Sequence, residues 1–144
     1  MIRPIIYAVL VGLVFIAPVN RVDVGSLQPV QVISIYNNDT QVKIETDTGD
    51  FGQGESLQQA LTDLRETASG VIYFDTAEYL LVQTGLEYAI NEMQGILKHS
   101  VRVCNMSGNV DLKDVALYLR ARGDLPKLKQ WNQGEKLPLI TSEK

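Results

Sequence analysis

The 144-residue chain sets 17 Asp and Glu against 13 Lys and Arg, a net charge of −4 at pH 7 that grows more negative when Arg3 is set aside with the apolar N-terminus. That balance excludes a nucleic-acid surface, which draws its affinity from clustered Lys and Arg against phosphates. One cysteine, Cys104, and one histidine, His99, leave no internal disulfide and no metal site built on those residue types alone.

Arg3 precedes an uncharged apolar run over residues 5–17, IIYAVLVGLVFIA, the pattern of a secretory h-region or a signal anchor. Bulky Phe15 stands where a cleavage site wants a small residue, and Pro18 follows Ala17 directly. Residues 1–19 are therefore expected to stay as a short membrane anchor, the alternatives being a cleaved signal peptide or a buried helix. Counted from Met1, the stretch just reaches the roughly 17 to 25 residues that span a bilayer. The rest of the chain is expected outside, on the outer face of the cytoplasmic or spore membrane, or secreted if the leader is cut.

Residues 20–131 have the length of one domain with one core. After an irregular lead-in over residues 20–29, residues 30–36 and 40–46 read as two strands, the second alternating Val42 and Ile44 with Lys43 and Glu45. Asn37, Asn38 and Asp39 between them predict a hairpin. An acidic, glycine-rich loop over residues 47–55 leads to Ser56 and Gln59, which have the spacing of a capping box, and Leu57, Ala60, Leu61, Leu64 and Ala68 form one helical stripe ended by Gly70. Residues 71–74 and 79–82 are β-prone, either one bulged strand or an extended lead-in followed by the central strand of the sheet. Thr84 and Glu87 repeat the capping spacing before a stripe of Leu86, Ala89, Ile90, Met93, Ile96 and Leu97, with Gly95 its weak point. Residues 101–106 alternate as a strand, and Asp111 caps a third helix carrying Leu112, Val115, Ala116 and Leu119 and ending at Gly123. Asp124 and Pro126 open a final short helix with Leu128 and Trp131, and residues 132–144 are expected to fray. The sum is an α+β domain: a small mixed or antiparallel sheet of about four strands packed against three helices, plus the N-terminal anchor.

No catalytic signature stands out. Asp47-Thr48-Gly49 is the tripeptide that carries the catalytic carboxylate of aspartic proteases, where two such loops share one proton, so a single copy demands a homodimer. Here Asp50, Gly52, Gly54 and Glu55 follow and a helix starts at once, which favours an acidic surface turn. Asp47, Asp50 and Glu55 are also hard oxygen donors, but their spacing departs from the calcium loop. Gly52-x-Gly54 ahead of a helix has no Lys to hold a phosphate. His99 fits a helix C-terminus, where an imidazolium meets the negative end of the dipole, and Cys104 reads as a small buried residue. No catalytic, cofactor-binding or metal-binding residue is assigned; the loop of Asp47, Asp50 and Glu55 is the one of interest.

The order of elements resembles the N-terminal domain of the Ger(x)C-type spore-germination lipoproteins. Residues 20–30, NRVDVGSLQPV, are similar to that family's lead-in W-D-R-R-E-I-x-x-L-A-x-V. Residues 54–64, GESLQQALTDL, are similar to its helix G-x-T-x-x-E-A-L-x-x-L, and residues 73–84, YFDTAEYLLVQT, to its Y-F-x-x-x-x-x-L-L-V-G-E. The likeness runs over about residues 20–115. Two departures stand out: no cysteine lies near the membrane to take a lipid, and the chain stops where the family continues into further domains. The resemblance implies a non-enzymatic, membrane-anchored extracytoplasmic domain with a germination or sporulation role and a membrane or spore-envelope protein as partner. The rival expectations are an anchored or secreted hydrolase using Asp47, and an ion- or small-ligand-binding module using the loop of residues 47–55.

Overall fold

The most apolar run after the N-terminal segment, residues 79–82, lies inside a sheet with a core on either side. The computed structural model describes residues 2–16, 24–108 and 110–141. Helix α1 (Ile2–Ile16) is followed by β1 (Leu27–Pro29), β2 (Val32–Asn38), β3 (Gln41–Thr46), β4 (Phe51–Gly54), α2 (Leu57–Thr67), β5 (Val71–Tyr73), β6 (Tyr79–Gln83), α3 (Tyr88–Met93), β7 (Arg102–Ser107), α4 (Leu112–Ala121) and β8 (Leu139–Thr141). The main sheet has the order β4-β3-β2-β6-β7-β8, while β1 and β5 form a separate parallel pair. In the main sheet β2, β6, β7 and β8 run parallel, and β3 and β4 fold back antiparallel as a meander. The α+β class and the mixed sheet match the sequence reading; the strands are more numerous than expected.

Alternation along β6 and β7 sorts side chains onto two faces. Leu80, Val82, Val101 and Val103 join the core under α2 and α3, whereas Tyr79, Leu81, Cys104 and Met106 join a second core under α4. The three helices therefore divide between both faces. A strand buried on both sides reads as a continuous apolar run, which is why YLLV stood out in the sequence.

The hairpin forms with Asn38 opposite Gln41 and Asp39 in the left-handed region at φ 57. Asn37 and Asn38 thus belong to β2. Residues 51–54, expected as part of a flexible loop, are strand β4, whose buried positions are the glycines Gly52 and Gly54. A Cβ on Gly52 would run into the Ala60 carbonyl oxygen and the Leu64 amide nitrogen. Their absence of side chain lets the α2 backbone lie directly on the strand. From there α2 reaches the outer edge of β4: Asp63 Oδ2 accepts from the Gln53 amide at 2.9 Å, and the Thr67 hydroxyl donates to the Phe51 carbonyl at 3.2 Å. Helix α2 begins as its sequence predicts, with Ser56 Oγ accepting from Gln59 N at 3.3 Å, although the Gln59 side chain turns back to Glu55 N rather than Ser56 N.

Other expectations need correcting. Helix α2 stops at Thr67, and Gly70 serves instead as a close approach to the Ser26 carbonyl beside the β1–β5 pair. Of residues 71–74, the first three take the extended lead-in alternative as β5, and Phe74 opens the 3₁₀ turn Phe74–Thr76 that separates it from β6. Helix α3 ends at Met93, before Gly95, so exposed His99 lies well past the helix end and away from its dipole. The final short helix is only a 3₁₀ turn, Leu128–Gln130. The tail expected to fray is held over residues 132–141: Leu137 and Ile140 are buried, β8 pairs with β7, and the Pro138 carbonyl accepts from Asn105 N at 2.8 Å; residues 142–144 lie outside the described residues.

The α2–β4 contact yields a prediction. Gly52→Ala sets a methyl against backbone atoms that cannot swing aside, so it should lower unfolding free energy by about 3 kcal/mol, the upper end of overpacking costs. Urea unfolding checks this, with Gly95→Ala, where a Cβ meets open space, as the neutral comparison.

Candidate functional site

The acidic loop singled out in the sequence is held in place by its own backbone. Asp47 Oδ1 accepts from the amides of Gln31 and Val32 at 3.0 and 3.3 Å, and Asp47 N donates to the Val32 carbonyl at 3.1 Å, so its carboxylate secures the start of β2. Asp50 Oδ2 accepts from Thr48 Oγ1 at 3.0 Å and Asp50 Oδ1 from Ser69 N at 3.4 Å. Glu55 lies beyond strand β4, five residues on; at about 3.3 Å per residue that is roughly 16 Å from Asp50. One ion cannot engage all three. Among the described residues no group of three His, Cys, Asp or Glu side chains is placed to hold a metal.

Cys104 is fully buried among Val32, Leu81, Met106 and Leu119. Burial in this apolar layer pushes its thiol from the ordinary 9.0 up to about 12, so it is an inert neutral group at physiological pH. Tyr36 is also raised, first by burial and then by the hydrogen bond it donates to Glu45 Oε2 at 2.8 Å. Lys43 sits over the Phe51 ring at 4.4 Å.

A cleft of about 500 Å³ opens where the parallel strands end, lined by Thr84, Glu87, Asn105, Lys136, Leu137 and Leu139 among others. Topology explains it. The chain leaves β6 toward α3 on one face and leaves β7 toward α4 on the other, and open sheets form their ligand crevices where neighbouring parallel strands exit to opposite faces. Gly85, in the left-handed region at φ 98, turns the chain out of β6. Its amide donates to both oxygens of Glu87, at 3.1 and 3.0 Å. The expected capping box at Thr84 and Glu87 is replaced by this tight turn, with Glu87 itself at the start of α3.

Asn105 forms the floor. It is 8% exposed, and its Nδ2 donates to Glu87 Oε1 at 3.4 Å. Only the amide NH₂ can donate to a carboxylate, which leaves Oδ1 as a buried acceptor with no hydrogen-bond partner among the described residues. Gln28 Oε1 and Trp131 Nε1 are similarly unpartnered there, but neither residue lines the cleft. Glu135, at the cleft rim, is engaged elsewhere, accepting from Asn132 N and Nδ2 at 3.4 and 3.3 Å. Sequence reasoning passed over Asn105, although one signal was present: a polar residue at a position that alternation places on the same inward face as Val101 and Val103.

Compared with protein-family models, with curated proteins and with solved structures, the chain matches none of them.

Two outcomes follow from these assignments. Asp47→Ala strips two amides of a charged acceptor and should cost about 2 kcal/mol in urea unfolding, while Asp47→Asn, which keeps an acceptor oxygen, should lose less than half of that. For Cys104, a folded-state pKa above the unfolded one stabilises the fold at pH values below about 9, and that contribution fades as pH climbs toward 12. The stability difference between the natural chain and Cys104→Ala, read from thermal melts at pH 8 and pH 11, should therefore shrink at the higher pH.

Proposed function

We propose that this chain is a membrane-held, non-enzymatic domain that acts by contact with other molecules on the outer side of a membrane. Helix α1 carries the reading. Its apolar side chains are exposed around the helix, Tyr7 at 72%, Ile5 at 63% and Leu10 at 55%, whereas α2 and α4 each bury one stripe and turn a polar face outward. A helix apolar on every side suits lipid better than water. At 1.5 Å per residue its 15 residues extend about 22 Å, less than the ~30 Å hydrocarbon layer. Among the described residues no helix is long and apolar enough to cross a membrane, and Met1 and residues 17–19 of the expected anchor lie outside the described residues. A full crossing is thus supported by the sequence pattern of residues 1–19, and embedding in lipid by the exposure of α1.

The finer reading, a sporulation or germination component that contacts a membrane or spore-envelope protein, is supported by the resemblance in residues 20–115. Leu117 and Tyr118, exposed on α4, offer apolar area to such a partner. The aspartic-protease alternative has less support, because the Asp47 carboxylate is engaged by two backbone amides at the start of β2.

The test uses the full chain in cells. It should sediment with membranes and resist extraction by high salt and alkaline carbonate. Leu10→Arg, which sets a charge costing about 2.5 to 3.5 kcal/mol at a helix centre in lipid, should release a large fraction. Glu92→Cys at the exposed rim of α3 should react with a membrane-impermeant maleimide on intact cells, while the natural chain, with only buried Cys104, stays silent. A full chain recovered with the soluble fraction, or a Glu92→Cys chain that labels only after lysis, overturns the reading.

A further inference from the structure

The cleft at the carboxyl ends of β6 and β7 keeps a hydrogen-bonding atom that the fold itself does not use. We propose that it is a binding site for a small organic cation, a primary ammonium group on an apolar body, with Asn105 and Glu87 as the recognising residues. The site goes beyond the membrane reading and stands apart from α1, so the two tests fail independently.

The first argument is the cost of Asn105. A buried carbonyl oxygen without a partner destabilises a fold, and an apolar residue of the same shape avoids the penalty. Asn105 nevertheless sits between buried Cys104 and Met106 as a residue that lines the cleft, its Oδ1 buried just behind that lining with no partner among the described residues. The second is the sign of the groups on the floor. Acceptors outnumber donors here: the Asn105 NH₂ gives one of its two hydrogens to Glu87, the Gly85 amide is spent on the same carboxylate, and the Glu87 oxygens and Asn105 Oδ1 keep lone pairs to spare. A partner must bring donors. An ammonium brings three, and its hydrogen bond to a carboxylate is about twice as strong as a neutral one. The Thr84 hydroxyl at the mouth is a third acceptor for it.

The walls set the rest of the ligand. Leu137 and half-exposed Leu139 form an apolar side, and the volume of about 500 Å³ falls within the ordinary range for small-molecule sites. Lys136 is the one cation of the lining; its side chain is exposed at the rim and free to swing into water, whereas Glu87 and Asn105 are fixed by hydrogen bonds to the turn.

The experiment follows the amide signals of Gly85 and the side-chain NH₂ signal of Asn105 by ¹⁵N NMR, on the full chain in detergent micelles. Butylammonium, 1-butanol, glycerol and butyrate are the probes, titrated to tens of millimolar at constant ionic strength. Butylammonium should shift these signals saturably and the other three should not. Glu87→Gln keeps an oxygen to accept the Gly85 amide but removes the charge; it should weaken butylammonium binding at least tenfold with a folded chain and only a small fall in melting temperature. Asn105→Leu should abolish binding while melting at the same temperature or higher, since it removes the orphaned oxygen. Silence toward butylammonium, equal shifts from 1-butanol or glycerol, or a Glu87→Gln chain that binds as well as the natural one overturns the proposal.

Discussion

The close approach of helix α2 to strand β4 is the constraint on which the rest of the architecture depends. A strand at the edge of a sheet exposes unpaired amides and carbonyls, and proteins must hide or blunt them. Here two glycines, Gly52 and Gly54, let a helix settle onto the strand at backbone distance. From that position Asp63 and Thr67 satisfy the edge groups of Gln53 and Phe51. The helix in turn is free to bury Leu57, Ala60, Leu61 and Leu64 against Ile33, Ile35 and Ile44 of the meander. Edge protection and core formation are thus one event, and both hang on residues with no side chain.

That packing also fixes where chemistry is able to occur. With α2 and α3 on one face and α4 on the other, the parallel strands β6 and β7 release the chain in opposite directions, and the gap between them stays open. Asp47 and Thr76 close the other end: Asp47 binds the amides of Gln31 and Val32, and the Thr76 hydroxyl bonds both the amide and the carbonyl of Val30, each at 3.0 Å. The amino ends of β2 and β6 are stitched together further by Gln31, whose carbonyl accepts from Glu78 N and Tyr79 N at 2.9 and 3.1 Å. The amino end of β2 is consequently closed by short polar side chains, whereas the carboxyl ends of β6 and β7 keep Asn105, Glu87 and Thr84 within a cleft.

Periodicity made much of the fold legible. The stripes of Leu57 to Leu64 and Leu112 to Leu119, the hairpin around Asp39, and the doubly buried Tyr79 to Val82 follow from spacing alone, because each lies in an element long enough for its period to repeat. Strands of three or four residues escaped: Leu27–Pro29, Phe51–Gly54 and Leu139–Thr141 carry too few side chains to show alternation, and in β4 the inward positions are glycine, which reads as a loop. The acidic residues of the loop at 47–55 drew attention through a familiar tripeptide, yet their role is decided by which backbone amides lie opposite, and no spacing rule reports that. Asn105 illustrates the reverse case. Its type and position were visible, but its isolation depends on Glu87 taking its NH₂ and on Pro138 taking its backbone amide, contacts between segments far apart in the chain.

Cys104 has a consequence for where the protein is able to work. The only sulfhydryl of the chain is shut inside an apolar layer and held in its neutral form, so neither glutathione nor an oxidising envelope finds a reactive handle on the native fold. The single cysteine leaves no internal bridge to form or to lose. Its architecture is indifferent to the redox character of its surroundings.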